Sequence, residues 1–469
     1  MTAVDLVLQE RHLEELRGFL LRSDGVEASA YILCGQASVS IDPWDNHSRR
    51  RLLSYAVFPV PEDDQISAGH MHVTWSTTSF VRILRQAKED GLVAGIVHVH
   101  PCGPLAFSDQ DDRNEAKLAE LARNRNGEDG MVLSLLMIGS GDLRARLWFT
   151  PSIAVDCTAV SVIGRRLTIH SNTVSSTDIS EAMARQTLAF GPEVTARLRQ
   201  LKVAVIGCGG TGSATATMLA RLGVGQLLLV DDDIVEKSNL NRLHGAKRTD
   251  ADAMRPKVEV IAREVHEFGL DVRVVPLRHW VGHKDCRDSL RSCDVIFGCT
   301  DDHDGRLFLN RFAYFYLIPV IDMGIAIQTR DGGGFNELSG RVTILAPGAP
   351  CLLCRGTIDP ITARDEDLRR RQPDEYERRK LEAYVRGGGN PSPAVVTFTT
   401  ETAIMAINEM LQGLTGYRGG DGWYWNRTRR FDLLSDHRPG AIQNPDCPIC
   451  SDTGYWGRGD IEPFLDRIG

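Results

Sequence analysis

The run Val203 to Ile206 is followed directly by Gly207, Gly209, Gly210 and Gly212, and no other stretch constrains the fold as strongly. Val203, Val205 and Ile206 are β-branched and apolar, which suits a strand buried in a parallel sheet. From Ser213 to Leu222 the spacing turns helical, with Ala216, Met218, Leu219 and Leu222 on one side. A strand, a glycine turn and a helix in that order aim the helix's free N–H groups and positive dipole end at one point, where a phosphate binds. A second apolar strand, Gln226 to Val230, ends on Asp231, placed to accept a hydrogen bond from a ribose hydroxyl. Two plainer readings stay open here: glycines that only let helix and strand pack closely, and an NAD-dependent oxidoreductase.

The flanking charges argue for ATP. Asn239 and Arg242 follow Asp231, Lys257 opens the helical stretch PKVEVIAREV, and the apolar strand DVIFGCT delivers Asp301 to the same sheet edge. A redox dinucleotide has no need of two cations and a carboxylate around its phosphates. Activation of a carboxylic acid by ATP does, because charge builds on the α-phosphate and pyrophosphate and Mg²⁺ must be held.

These motifs, GCGGTGS, DDDIVEKSNLNR, RPK and CTDD, resemble the E1-like (ThiF/MoeB/ubiquitin-activating) adenylyltransferases, and the resemblance runs from Glu181 to the C-terminus. It implies a Rossmann-like domain with a mostly parallel sheet over 181–469. It also implies that Asp231 and Asn239 bind the nucleotide, that Arg242 and Lys257 neutralise phosphates, and that Asp301 handles Mg²⁺. The chain departs from the family in a slightly longer stretch between Arg242 and Lys257. Ahead of the strand, ARQTLAFGPEVTARLRQL reads as an amphipathic lead-in helix. Its Arg185 matches the family arginine that reaches the phosphates, often from the other subunit of a homodimer; an ordinary solvated arginine fits as well.

At 469 residues the chain has room for two or three domains, each with its own core. A net charge of -8 without a long basic stripe disfavours a nucleic-acid partner. No apolar run reaches membrane-spanning length and no signal-peptide h-region stands at the N-terminus, so the expectation is a cytoplasmic protein. There, the 11 cysteines are expected to be free thiols and metal ligands.

Residues 1–155 read as a separate α/β module: a leucine-spaced helix from Asp5 to Arg22, a strand at Ala30–Cys34, a helix at Phe80–Glu89 and a strand at Leu92–Val99. On an extended strand His98 and His100 leave the same face. Ser108 and Asp111 follow a glycine- and proline-bearing loop and also fit a helix capping box. Two imidazoles and one carboxylate make three zinc ligands and leave a fourth position for water, the mark of a catalytic site. The pattern H-x-H-x7-S-x2-D resembles the JAMM (MPN-plus, JAB) metalloproteases, which cleave isopeptide or peptide bonds at the C-terminus of ubiquitin-like proteins. The resemblance implies Glu27 as proton carrier and Ser108 as the oxyanion's support. His70 and His72 read as surface residues.

A serine- and threonine-rich connector, 156–180, leads to the second half. There Cys351/Cys354 and Cys447/Cys450 form two CxxC pairs, expected to close a structural Cys₄ zinc site. Between them, the charged and glycine-rich 359–393 matches the crossover segment where many E1-like enzymes carry a thioester cysteine. No cysteine other than the four zinc candidates follows Asp301. The acyl-adenylate is therefore expected to pass directly to a partner's nucleophile, with an oxyester on Ser392 or a threonine of TFTTET (397–402) as the other route.

The chain thus resembles the JAMM–E1 fusions of bacterial ubiquitin-like conjugation operons, some of them tied to antiphage defence. That implies ATP, Mg²⁺ and Zn²⁺ as cofactors, and a ubiquitin-like protein and an E2-like carrier as partners. A ThiF/MoeB-type sulfur-carrier activator and a docking scaffold with an inactive JAMM half remain as rivals.

Overall fold

A computed structural model describes residues 2–21, 25–69, 72–171, 180–330, 333–381, 393–420 and 422–461. It divides into two compact units. One gathers Met1–Val174 with Phe315–Leu317 and Gly454–Arg467, and the other holds Ser175–Tyr314 and Ile318–Thr453.

The first unit runs β1 (Ala3–Gln9), α1 (Glu10–Leu20), β2 (Ser29–Val39), β3 (Arg49–Pro59), β4 (Gln65–Gly69), β5 (His72–Trp75), α2 (Thr78–Asp90), β6 (Val93–His100), α3 (Asp109–Asn126), β7 (Val132–Ile138), β8 (Leu143–Thr150), β9 (Ile153–Asp156), β10 (Ala159–Ile163) and β11 (Leu167–Ser171). Nine of the strands form one sheet in the order β11-β10-β1-β3-β2-β6-β7-β8-β9, and β4 and β5 pair as a hairpin. The N-terminal helix is shorter than leucine spacing predicts. Residues Ala3–Gln9 are instead a strand held in parallel register by β10 on one side and β3 on the other. Val4, Leu6, Val7 and Leu8 are all fully buried there, so helical and strand readings were indistinguishable from an apolar run of that length. One sheet face packs against Leu13, Leu16 and Leu20 of α1. The other packs against Phe80, Ile83 and Leu84 of α2 and Leu118, Ala119 and Ala122 of α3.

Past Cys34, β2 outruns its partner β6, and the chain's last described residues use the free edge. Gln36 bridges Gly459 in parallel, and the Asp460 N–H donates to the Gln36 carbonyl at 2.6 Å. Gly35 is needed for that approach: a Cβ there would lie 2.0 Å from the Gly457 carbonyl oxygen.

The second unit runs α4 (Ala184–Phe190), α5 (Pro192–Gln200), β12 (Lys202–Ile206), α6 (Gly210–Arg221), β13 (Gln226–Val230), α7 (Arg248–Asp252), α8 (Lys257–Glu267), β14 (Arg273–Leu277), α9 (Arg287–Arg291), β15 (Val295–Gly298), α10 (His303–Phe315), β16 (Val320–Thr329), β17 (Phe335–Leu345), α11 (Pro360–Arg371), α12 (Pro373–Leu381), α13 (Val396–Thr415), β18 (Asn426–Arg430) and β19 (Ser435–His437). The expected single lead-in helix is two, broken at Gly191 (φ +83°) with Pro192 starting the second. The sheet order is β14-β13-β12-β15-β16-β17-β18-β19. Its first five strands are mutually parallel and the last three are added antiparallel. The order reverses between β12 and β15, and ligands of open α/β sheets bind outside the carboxyl ends of the strands at such a switch point.

Candidate functional sites

At that switch point lies the glycine turn. Gly207 has φ +86°, and a Cβ on it would lie 2.9 Å from the Cys299 carbonyl carbon and the Thr300 nitrogen. A Cβ on Gly212 would meet the Gly207 carbonyl oxygen at 1.8 Å, so these two glycines are required by packing. Gly209 is different: its φ is ordinary and a Cβ there would meet nothing within 4 Å. Nothing in the fold demands a glycine at the N-cap of α6, whereas a phosphate seated on that helix start does. The residues present fit a nucleotide.

The flanking charges converge on this turn. Asp231 accepts from the Cys208 N–H at 2.6 Å and the Asp233 N–H at 2.8 Å, tying the turn to the end of β13. Burial pushes its carboxyl up, against the pull of Lys257. Lys257, the first residue of α8, donates to Asp233 at 2.6 Å. Burial alone would lower its ammonium, yet Asp231 and Asp233 hold it above the usual lysine range. The Arg242 side chain runs against Gly210 and donates to the Ser238 carbonyl at 2.5 Å. Asn239 spends its side-chain oxygen on the Glu236 N–H at 3.0 Å, closing a short capping turn. Asp301 is exposed, following directly on the Cys299–Thr300 backbone that abuts Gly207. Its neighbour Asp302 accepts from the Gly305 N–H at 2.9 Å at the start of α10. Asp231, Arg242 and Lys257 therefore lie against one glycine turn, and Asp301 follows the backbone that abuts it.

Arg185 does not join them within the chain. Its neighbours bind the far end of α6: Gln186 donates to the Leu222 carbonyl at 2.9 Å, and Met183 lies against Gly223. A helix of 12 residues puts that end about 18 Å from the glycine turn.

Ser392 lies outside the described residues. Of the threonines in TFTTET, Thr399 and Thr402 spend their hydroxyls on the Val396 and Phe398 carbonyls of their own helix. Thr400 instead faces the His244 ring, Oγ1 to Nε2 3.0 Å. Burial holds that imidazole below the usual histidine range, against the pull of Glu264. The His244 N–H donates to Ser213 on the first turn of α6 at 3.0 Å, so this pair belongs to the same site. His244 carried no sequence signal of its own, since no motif contains it.

In the first unit, β6 carries His98 and His100 onto the face covered by α2 and α3. Asp111, in the first turn of α3, comes within 3.5 Å of His98 Nε2 and 3.7 Å of His100 Nε2. Ser108 caps the helix: its hydroxyl accepts from the Asp111 N–H at 3.2 Å and donates to the Asp111 carboxylate at 2.7 Å. Burial alone would raise the Asp111 carboxyl, but bonds from His98 and Ser108 hold it well below the usual carboxylate range. His98 Nε2 is buried with the Asp111 carboxylate 3.5 Å away, so two imidazoles and a carboxylate converge in a donor set that fits a metal ion. Glu27 is buried just ahead of β2. Ser29 pairs with His98 and the Val99 N–H donates to the Ala28 carbonyl, so the continued register sets Glu27 across from His100 on the same face.

Behind this group stands a support the motif does not announce. Glu115, one helical turn past Asp111, is buried and accepts from Arg146 and from the Trp148 ring nitrogen, both at 2.7 Å. Burial raises its carboxyl against the pull of Arg146. Arg146 also stacks over Phe107, whose ring lies 6.0 Å from that of His98.

The four cysteines meet. Cys351 and Cys447 sulfurs are 3.7 Å apart, and those of Cys354 and Cys450 are 3.5 Å apart. Those gaps are far beyond a disulfide and close to the ~3.8 Å edge of a tetrahedral zinc–thiolate site. All four sulfurs lie within 4.8 Å of one another.

Residues 183–449 match the model of the ThiF family. The chain belongs to the ThiF family. Ahead of its ThiF half, residues 9–149 match the model of prokaryotic homologs of the JAB domain. A JAB domain and an E1-like domain are thus fused in one chain. Among individual relatives, the SAMP-activating enzyme E1 of Haloferax volcanii is 34% identical over 35% of this chain and 56% of its own length. Ubiquitin-like modifier-activating enzyme 5 of Aedes aegypti is 29% identical over 42% of this chain and 52% of its own length. The Sulfur carrier protein ThiS adenylyltransferase of Bacillus subtilis is 26% identical over 59% of this chain and 70% of its own length. The chain spans little more than half the length of the first two. Among the described residues no helix is long and apolar enough to cross a membrane.

Proposed function

We propose that the ThiF half uses ATP and Mg²⁺ to adenylate the C-terminal carboxylate of a ubiquitin-like protein, and that the JAB half is a zinc-dependent peptidase for that same protein. The observation that carries the first part is the open approach at Gly209, with the Arg242 side chain against the next residue, Gly210, and Lys257 paired with Asp231 and Asp233 beside the turn. The carboxylate attacks the α-phosphate, an acyl–AMP anhydride forms, and pyrophosphate leaves. Lys257 and Arg242 offset the charge that develops on the phosphates. Asp301, exposed beside the turn, is the carboxylate available to hold Mg²⁺. Arg185 contributes only from a second copy, which makes a homodimer part of the proposal. Calorimetry on the full chain separates this from a nicotinamide enzyme: MgATP binds and Lys257→Ala weakens it at least tenfold. Binding of NAD indifferent to Mg²⁺ would overturn it.

In the JAB half, His98, His100 and Asp111 would hold the zinc ion. Bound zinc supplies Lewis acidity that makes its water acidic near neutral pH. Glu27 accepts the proton and passes it to the leaving amine, and Ser108 donates to the oxyanion. A His98→Ala chain that still cleaves a modifier fused to a reporter would contradict the zinc assignment, whereas a wild-type chain that binds no zinc and leaves the fusion uncut would favour a docking scaffold.

The relatives leave two destinations for the acyl group, a sulfur donor or an E2-like carrier. The Thr400–His244 pair favours a third, an oxyester on this chain. Neutral His244 takes the Thr400 proton, Thr400 Oγ1 bonds the acyl carbon, and AMP departs. Such an adduct survives reductant and yields to hydroxylamine. Its persistence in Thr400→Val would move the ester to another hydroxyl, and absence of any adduct in wild type would return the choice to direct transfer.

A further inference from the structure

A turn on the edge of the ThiF half brings together metal-binding side chains that the proposed chemistry does not use. The His283 N–H donates to the Trp280 carbonyl at 2.9 Å, closing a tight turn. Gly282 is obligatory in it, since a Cβ there would lie 1.9 Å from the Trp280 ring. The indole is fixed by Phe308, centroids 5.8 Å apart, and by the Arg370 guanidinium 3.5 Å above it. With Trp280 anchored, its flanks His279 and His283 are held face to face, rings 4.1 Å apart and 3° from parallel. One oxygen of Asp285 then lies 3.5 Å from His279 Nε2 and 3.6 Å from His283 Nδ1. The donor atoms all fall within 4.8 Å of one another.

We propose that His279, His283 and Asp285 form a third metal site, separate from the His98/His100/Asp111 group and from the four cysteines, that takes a borderline divalent transition ion such as Zn²⁺, Co²⁺ or Ni²⁺. Two imidazole nitrogens and one carboxylate oxygen match that class and not Mg²⁺ or Ca²⁺, which prefer oxygen donors throughout. The rings must tilt toward each other to share an ion, and half-exposed side chains on a fixed turn can do so. His283 Nδ1 gives up only a 3.3 Å bond from the Asp285 N–H. The neighbouring Cys286 is buried with its sulfur toward the Trp280 carbonyl, so it is no ligand, and water fills the remaining positions.

The test strips the full chain with a chelator, reloads it with Co²⁺ and counts bound metal after gel filtration. Wild type should hold one more equivalent than His283→Ala or Asp285→Asn. Both variants should keep the intense thiolate-to-cobalt band of the cysteine site, which reports that the ThiF half is folded. His98→Ala should retain the extra equivalent. Ni²⁺ should raise the melting temperature of wild type by more than that of Asp285→Asn, which keeps the other two sites. Equal metal counts in wild type and both variants would overturn the proposal and leave the adenylation reading untouched.

Discussion

Two glycines of one turn separate architecture from ligand binding at the level of single residues. Gly212→Ala forces a methyl into the Gly207 carbonyl and should cost about 1–3 kcal/mol of stability, read by thermal denaturation. Gly209→Ala adds its methyl to open space, so stability should stay within about 0.5 kcal/mol while ATP affinity falls. Equal losses of stability in both would remove the ligand argument for Gly209. Sequence spacing exposed the glycines, but only the contacts of each absent Cβ tell which of them the fold itself requires. Asp111 carries a pH signature. Its carboxyl is held below the usual range, so the bonds it accepts stabilise the first unit above the unfolded carboxylate value. That contribution is lost as pH falls through the lowered folded value. In metal-free protein, Asp111→Asn should flatten the acid side of the melting-temperature profile; an unchanged profile would contradict the assignment.

Helices and strands place these groups, and here the sequence was only partly legible. His98, His100, Ser108 and Asp111 could be placed because a strand alternates and a capping box has fixed spacing, and both features are present. Glu115 and Arg146 could not, because their pairing joins α3 to β8 across the sheet and leaves no local pattern. Glu115→Ala would leave Arg146 without its buried partner and should cost about 3 kcal/mol, measured by denaturant unfolding. Crossover helix α11 is also tied down by long-range pairs. Arg370 pairs with Asp304, and Glu366 accepts from the Asp304 N–H at 2.9 Å. Arg370→Ala should speed proteolysis within 359–381 at unchanged overall fold. Equal cleavage rates would show the pair to be incidental. The β1 strand and the break at Gly191 differ from the sequence expectation for one reason, that a short amphipathic run has no internal feature to fix its type before its neighbours are known.

For the whole molecule, the first compact unit is not one continuous stretch of chain. Its β2 edge is completed by Gly459 and Asp460, far from the rest of the unit in sequence, so cutting the chain after Thr453 should lower the melting temperature of the JAB half. Gly35→Ala should do the same by pushing out the Gly457 carbonyl. The motifs made the pairing of a JAB domain with a ThiF domain legible, and both family models match where those motifs lie. The return of the last residues to the first unit was not legible, since Gly-Arg-Gly-Asp has no strand signature. The central claim is carboxylate activation, and ATP–pyrophosphate exchange tests it most directly. A panel of ubiquitin-like and sulfur-carrier proteins would be assayed with free and with amidated C-termini. The account predicts exchange that requires Mg²⁺, needs a free terminal carboxylate, and disappears in Asp301→Ala. Exchange that persists with the amidated proteins, or absence of exchange across the panel while MgATP still binds, would contradict it.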